Sequence, residues 1–118
     1  MDQEIETKIK AYLSDETLLY YDWYKGLAQA EDEHTVLYAA EEPSLEENKQ
    51  RFKNYFRENQ SIIKQKVCVE WEYSRKRKDY HEVERLIAAI FDFFATTGIS
   101  TITILVVEGY LDHLCANC

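Results

Sequence analysis

The segment from residue 66 to residue 107 constrains the fold of this chain more than any other, because it contains most of the strongly patterned apolar sequence. Residues 67–73 alternate β-branched or aromatic side chains with Cys or Glu, and this period of two is typical of a strand that is buried on one side. Residues 99–107, ISTITILVV, are nearly all β-branched or apolar, which predicts a strand covered on both faces.

Between these two predicted strands the sequence predicts a helix. Asp79 and Glu82 have the spacing of a capping box at its start, and Gly98 suits a left-handed stop after its end. The apolar residues at helical spacing are Val83, Leu86, Ile87, Ile90, Phe91 and Phe94. A strand–helix–strand unit of this length is normally a right-handed parallel crossover, so we expect two parallel strands here.

Helices are also predicted before this segment. Residues 3–13 carry apolar side chains at helical spacing, and Ser14 can cap a second helix that Gly26 weakens or ends. Ser44 and Glu47 have the S-x-x-E spacing of a capping box. This spacing predicts a third helix that runs up to the first strand of the parallel pair.

Together these patterns predict a single α/β (or α+β) domain with the order α-α-β-α-β-α-β. Its first strand is residues 35–39, and its small three-stranded sheet, at least partly parallel, is covered by helices. Residues 1–47 form an acidic helical segment, residues 48–107 a helix–strand–helix–strand scaffold, and residues 108–118 a tail that makes one helical turn or frays. The alternative is an all-α bundle, because short strands are easily mistaken in a single sequence.

The formal net charge of −8 is distributed unevenly along the chain. Residues 1–47 contain 13 acidic residues and 3 lysines, whereas residues 48–118 contain 9 acidic and 11 basic residues. The first part therefore has a net charge of −10 and the second of +2. Acidic surfaces repel nucleic acid and attract basic proteins, so we expect a basic protein as the partner and no direct contact with nucleic acid or membrane.

An aromatic and acidic segment within the first part is the candidate partner-binding site. Its residues are Tyr20, Tyr21, Asp22, Trp23, Tyr24, Glu31, Asp32 and Glu33. Tyr and Trp bury a large area with few rotatable bonds, and carboxylates steer a basic partner towards them. The alternative is that the aromatic side chains are core and the carboxylates are a solvated face. Some of the four aromatic residues should be core and the rest surface.

The cysteines and histidines do not form a convincing metal site. Cys115 and Cys118 form a C-x-x-C near His113, but zinc needs further ligands and the chain has no second C-x-x-C. We therefore predict no metal, no cofactor and no catalytic site. Three cysteines are an odd number, so we expect no complete disulfide framework and free thiols in the tail. The acidic start and the lack of an apolar run of about 18 residues predict a cytoplasmic protein.

The basic turn at residues 75–78 offers a second kind of site. Arg75 and His81 have an R-x5-H spacing, which resembles the R-x4-6-H signature of the HEPN ribonucleases, an all-helical family in which Arg and His converge at a dimer interface. This resemblance implies RNA cleavage by the two residues. The alternative is a solvated turn that keeps the end of a strand soluble.

The second half of the chain resembles the barstar family of small acidic nuclease inhibitors. The resemblance lies in VCVEWEY, in the helix and glycine that follow, and in the final ISTITILVV. It implies a small parallel sheet with helices, and the binding of a basic nuclease through acidic and aromatic residues. No interface residue of that family can be carried over, since the acidic and aromatic segment of this chain precedes the first predicted strand.

These observations favour a function that depends on a partner protein. We expect an acidic, non-enzymatic binding protein of bacterial or phage type, which acts as an immunity protein or inhibitor of a nuclease or a nucleic-acid-binding protein. One alternative is a small adaptor domain that associates with itself. The other is an R-x5-H ribonuclease of toxin type.

Overall fold

The computed structural model describes residues 3–31 and 44–116, and within these residues the chain is helical and contains no β-strand. The predicted α/β fold with a three-stranded sheet is therefore wrong for this part of the chain, which has the all-α fold of the alternative prediction. The predicted strand at residues 35–39 lies outside the described residues.

The α-helices follow one another along the chain with short connections. They are α1 (Gln3–Ser14), α2 (Glu16–Glu31), α3 (Leu45–Ile63), α4 (Tyr73–Lys76), α5 (Val83–Phe93), α6 (Ile99–Val107) and α7 (Tyr110–Leu114). A π-helix, Lys64–Glu70, continues α3, and 3₁₀ turns lie at Arg77–Asp79 and Ala95–Thr97. Each described helix is either too short or too polar to cross a lipid bilayer.

Helix α6 is at the centre of the fold. It contacts α1, α2, α5 and α7, and residues 101–106 are all buried. The prediction of a strand here is wrong because an apolar run that is covered on every side has no periodicity to distinguish a buried strand from a buried helix. The hydroxyl of Thr103 is compatible with this environment, because it donates to the carbonyl oxygen of Ile99 at 2.8 Å.

The other predicted strand of the parallel pair is the π-helix and the start of α4. Val69, which the alternation puts on the same face as Val67, is 51% exposed, whereas Cys68 is buried. The amide of Trp71 donates to the carbonyl oxygen of Lys66, five residues earlier, at 3.0 Å. The alternation of residue types therefore does not correspond to one buried face, and the prediction of a strand is wrong.

One of the three predicted N-terminal helix caps is confirmed. The amide of Glu47 donates to Ser44 Oγ at 3.2 Å at the start of α3, as the capping box predicts. Ser14 is the last residue of α1, and the side chain that caps α2 is that of Asp15. The predicted capping role of Asp79 is also wrong, because the residue before α5 makes no side-chain cap.

Helix α2 continues through Gly26 to Glu31 without a break. A glycine in a helix interior costs about 1 kcal/mol relative to alanine. Helix α2 buries Leu19, Tyr20 and Trp23 against the rest of the chain, and burial of one large apolar side chain contributes more than this cost. Packing therefore outweighs the local preference at this position.

A disulfide bond joins Cys68 in the π-helix to Cys115 just after α7, with the two Cα atoms 5.2 Å apart. Both cysteines are buried. The expectation of free thiols is therefore wrong for Cys115, while Cys118 lies outside the described residues. The tail makes the helical turn that is one of its two predicted conformations, and the bond attaches the end of this turn to the core.

Candidate functional site

The predicted partner-binding segment lies on α2, and its aromatic residues divide between core and surface. Tyr20 and Trp23 are 2% and 4% exposed, and their rings lie 6.2 Å and 5.1 Å from the ring of Phe52. Tyr21 and Tyr24 are half-buried. The prediction that only some of these residues are core is confirmed, which leaves Tyr21 and Tyr24 as the accessible aromatic side chains of this segment.

Each accessible tyrosine lies against a cation of the same chain. Lys25 Nζ is 4.9 Å from the centre of the Tyr21 ring, and the guanidinium carbon of Arg51 is 4.8 Å from the centre of the Tyr24 ring. A cation at this distance is attracted to the face of the ring and restricts its motion. Both rings are therefore held by the chain before any partner binds.

Among the predicted carboxylates, Asp22 has a contact that joins two helices. It accepts a hydrogen bond from the hydroxyl of Tyr12 in α1 at 3.0 Å. Burial, and then the carboxylate of Asp22, raise the pKa of Tyr12 above its ordinary value. Glu31 is the last residue of α2, whereas Asp32 and Glu33 lie outside the described residues.

A group of charged side chains lies where the first turns of α2 and α3 meet the end of α6. We name Glu16, Glu46, Lys49 and Glu108 the acidic end. Lys49 Nζ is 3.0 Å from Glu16 Oε1. The carboxylates of Glu16, Glu108 and Glu46 all raise the pKa of Lys49, with Glu16 having the largest effect. Lys49 is therefore paired with Glu16 and feels the charge of two further carboxylates.

Two of these carboxyl groups influence each other, and their pKa values are shifted in opposite directions. Contact with Lys49 lowers the pKa of Glu16, whereas burial, and then the neighbouring Glu16, raise the pKa of Glu108. The two groups compete for one proton, which Glu108 holds more tightly. The arrangement can therefore keep Glu16 charged and attract a cation from outside.

The sequence contains no local signal for the acidic end. Glu46 and Lys49 are neighbours on α3, but Glu16 and Glu108 are far from them along the chain and reach them only through the packing of α2, α3 and α6. Glu16 and Glu46 lie in the first turns of their helices, where the helix dipole favours a carboxylate whatever the function. The surplus of acidic residues before residue 48 is the one feature of the sequence that points to the acidic end.

A second group of polar side chains lines a cleft of about 590 Å³, which we name the basic cleft. Its walls are α4 with the 3₁₀ turn that follows on one side, and α7 on the other. The polar residues that line it are Tyr73, Ser74, Arg77, Lys78, Tyr80, His81 and Asp112. It contains both cations and aromatic rings, and it shares no residue with the acidic end.

The two residues of the R-x5-H spacing lie in different surroundings. His81 lines the basic cleft, whereas Arg75 is 3.1 Å from Glu72 in an ion pair and does not line the cleft. The arginine that lies in the cleft with His81 is Arg77. A single chain therefore does not bring Arg75 and His81 together into one cleft.

Comparisons with models of protein families, with curated proteins and with solved structures found no match to this chain. Among the residues that the structure describes, no three side chains of His, Cys, Asp or Glu are grouped as a metal site requires. The function therefore has to be inferred from the acidic end and the basic cleft.

Proposed function

We propose that this chain is an acidic, non-enzymatic binding protein that neutralises a basic partner, such as a nuclease or a nucleic-acid-binding protein. The observation that carries the proposal is the acidic end, where Lys49 pairs with Glu16 and also lies in the field of Glu108 and Glu46. One ammonium group does not neutralise three carboxylates. The acidic end therefore keeps a negative charge that can pair with Lys or Arg side chains of a partner.

Neighbouring residues extend this negative surface. Asp15 precedes α2 and Glu47 follows Glu46 in the first turn of α3, and both side chains are exposed. A negative field of this kind accelerates the encounter with a basic protein and slows the encounter with nucleic acid. A protein that binds phosphates through a basic surface carries the positive charge that complements the negative surface of this chain.

Tyr24 is well placed to add apolar contact area to such an interface. It lies two turns after Glu16 on α2, which is about 12 Å along the helix axis. That distance is within the footprint of an interface of standard size. Because Arg51 lies over its ring, little side-chain freedom is left to lose when a partner binds.

A cytoplasmic location is part of this proposal. Disulfide bonds are rare in the cytoplasm because thiol systems reduce them. Reduction requires a thiolate to reach a sulfur atom of the bond, and Cys68 and Cys115 are only 4% and 1% exposed. Burial of both cysteines is what would allow the bond to persist in a reducing compartment.

The test is affinity capture from the native host, followed by binding kinetics with the purified partner. We expect a basic protein whose association slows as salt is added, and slows by about tenfold in Glu46→Lys. Glu58→Lys is the matched control, because it makes the same change of charge at an exposed position further along α3. Equal association rates for the two variants, together with no dependence on salt, would contradict the proposal.

A second candidate is a small adaptor domain that associates with itself, and two exposed apolar side chains favour it. Ile62 and Val69 are 58% and 51% exposed and lie within two turns of each other on the continuous helix that α3 and the π-helix form. Light scattering should then detect a dimer that Ile62→Lys with Val69→Lys abolishes. A wild-type chain that stays monomeric at every concentration would exclude it.

A further inference from the structure

We propose that the basic cleft binds a small phosphorylated molecule that also carries a ring, with the size of a nucleoside monophosphate. The volume of about 590 Å³ lies within the range of small-molecule sites. The cations of the cleft bind the phosphate, and Tyr80 stacks against the ring. The site is separate from the acidic end and does not depend on the function proposed for it.

Basic side chains of the cleft offer hydrogen-bond donors to an anion. Lys78 and His81 line the cleft, and neither makes an ion pair or a side-chain hydrogen bond with the described residues. Arg77 is held in place, with Nη1 2.6 Å from Asp112 Oδ1 and its guanidinium carbon 5.7 Å from the centre of the Tyr73 ring. A guanidinium has five N–H donors, so Arg77 keeps donors for a phosphate oxygen.

Among the described residues, the one carboxylate that lines the cleft is that of Asp112, and it does not cancel the positive charge of Arg77 and Lys78. Asp112 Oδ1 already accepts a hydrogen bond from the hydroxyl of Tyr73 at 2.8 Å in addition to its ion pair with Arg77. One negative charge stands against the charges of Arg77 and Lys78, and His81 offers a ring N–H in either protonation state. The described side chains that line the cleft therefore carry a net positive charge in a chain whose net charge is −8.

The aromatic wall of the cleft is held in place as well. The ring of Tyr80 stacks on Trp71, with ring centres 6.2 Å apart and an angle of 27° between the planes. Lys76 Nζ lies 5.1 Å from the centre of the Trp71 ring. A fixed aromatic ring at the edge of a cationic cleft is the usual support for the base of a nucleotide, and it binds different ring systems.

The charge of the whole chain favours a small anion over a nucleic acid strand. Charges interact over about 10 Å at 0.1 M salt, so a molecule that fits inside the cleft experiences chiefly the charges close to the cleft rather than the net charge of the chain. A strand that extends beyond the cleft would also meet the field of a chain with a charge of −8.

Two contacts fix the far wall of the cleft before any ligand arrives. The disulfide bond joins Cys115 to Cys68, and the hydroxyl of Ser74 donates to the carbonyl oxygen of Cys115 at 2.9 Å. Helix α7, which supplies Asp112, is therefore attached to α4 and to the π-helix. A wall that is fixed in advance loses little conformational freedom on binding, which favours affinity.

The test is a titration of the oxidised full chain with AMP, with adenosine and with inorganic phosphate, followed by the backbone amide signals in NMR. We expect AMP to shift the amides of residues 74–81 and 112. Adenosine and phosphate should each bind about tenfold or more weakly than AMP, because each makes only part of the contacts. AMP that shifts none of these amides, or that binds no better than both fragments, would overturn the proposal.

A pair of variants tests the position of the site. Lys78→Glu should weaken AMP binding by about tenfold or more. Lys53→Glu makes the same change of charge at an exposed position on α3 outside the cleft, and should leave binding unchanged. Equal weakening in the two variants would overturn the proposal. Binding of an RNA oligonucleotide more tightly than AMP would also overturn the proposal, if Arg75→Glu weakens that binding as much as Lys78→Glu does. The comparison of AMP with adenosine uses the wild-type chain, so it holds even if a variant fails to fold.

Discussion

The hydroxyl of Tyr73 donates a hydrogen bond to Asp112 Oδ1 at 2.8 Å, between residues that are 39 positions apart in the sequence. Arg77 Nη1 lies 2.6 Å from the same oxygen. Tyr73 is 2% exposed and Asp112 is at the surface, so one carboxylate joins a core residue to a cation at the rim of the basic cleft. The contact fixes α7 against α4, and the shape of the cleft depends on it.

Tyr73→Phe should lower the free energy of unfolding by about 1.5 kcal/mol, because the ring stays buried while a hydrogen bond to a charged acceptor is lost. Urea denaturation measures the change. Tyr55→Phe is the matched control, because Tyr55 is half-buried and its hydroxyl makes no hydrogen bond with the described residues. Equal losses in the two variants would mean that the contact with Asp112 contributes nothing.

Reduction of the disulfide bond should lower the free energy of unfolding by about 4 kcal/mol, since the bond closes a loop between residues 47 positions apart. Urea denaturation with and without a reductant measures this loss. Cys118→Ser should leave the effect of the reductant unchanged. Titration of thiols in the unfolded, unreduced chain should find one of the three cysteines free, and three free thiols would rule out the bond.

High pH should unfold the chain as its buried tyrosines ionise. Burial raises the pKa of Tyr12, Tyr20 and Tyr73 above their ordinary values. The folded state therefore binds these protons more tightly than the unfolded state. The stability that results is complete below a pH of about 10, the ordinary value for tyrosine, and is lost as the pH rises towards the raised values.

Tyrosinate absorbance and circular dichroism, recorded together during an alkaline titration, check this expectation. The last tyrosines should ionise at the pH at which the helical signal disappears. Ionisation of every tyrosine near a pH of about 10, with the helical signal intact, would contradict it.

The parts of the fold that the sequence predicts correctly are those with a local cause. Residues 3–13 form a helix because the periodicity of their apolar residues matches one buried face, and the structure extends this helix by one residue to Ser14. Ser44 caps α3 because the hydroxyl and the amide that it accepts from are only three residues apart. The mixture of core and surface aromatic residues on α2 follows in the same way from the spacing along one helix.

The predictions that fail concern segments whose conformation depends on the residues packed around them. Residues 99–107 have a composition that suits a buried strand, and the surrounding helices make them a buried helix. The odd number of cysteines argues against a complete framework, but it does not exclude one bonded pair with one cysteine left over. Cys68 and Cys115 come together only after α7 folds back onto the π-helix, and no spacing in the sequence reports that approach.

Glu108→Gln should stabilise the chain at neutral pH by less than about 1 kcal/mol, because the group is near the surface. Burial, and then Glu16, raise the pKa of Glu108, so its stabilising contribution is present below the ordinary carboxyl range and is lost as the pH rises through the raised value. An amide in its place cannot ionise, and it can still donate to Glu16. The gain in stability should therefore appear at pH values above the raised pKa of Glu108 and should vanish in acid.

Glu16→Gln should have the opposite effect. Lys49 lowers the pKa of Glu16, so the contribution of Glu16 is present above the ordinary carboxyl range and is lost as the pH falls. Denaturation curves over a series of pH values measure both variants. A gain for Glu108→Gln that is the same at every pH would show that repulsion between the two carboxylates is not its cause.

Glu72→Gly should raise the melting temperature by a few degrees. Glu72 connects the π-helix to α4 with a φ of 60° and a ψ of 53°, which is the left-handed conformation that a side chain disfavours and glycine adopts readily. The relief of this strain exceeds the extra freedom that glycine has in the unfolded chain. The substitution also removes the exposed ion pair between Glu72 and Arg75, and Arg75→Ala measures that loss separately. If Glu72→Gly melts at or below the temperature of Arg75→Ala, the left-handed backbone at this junction carries no strain.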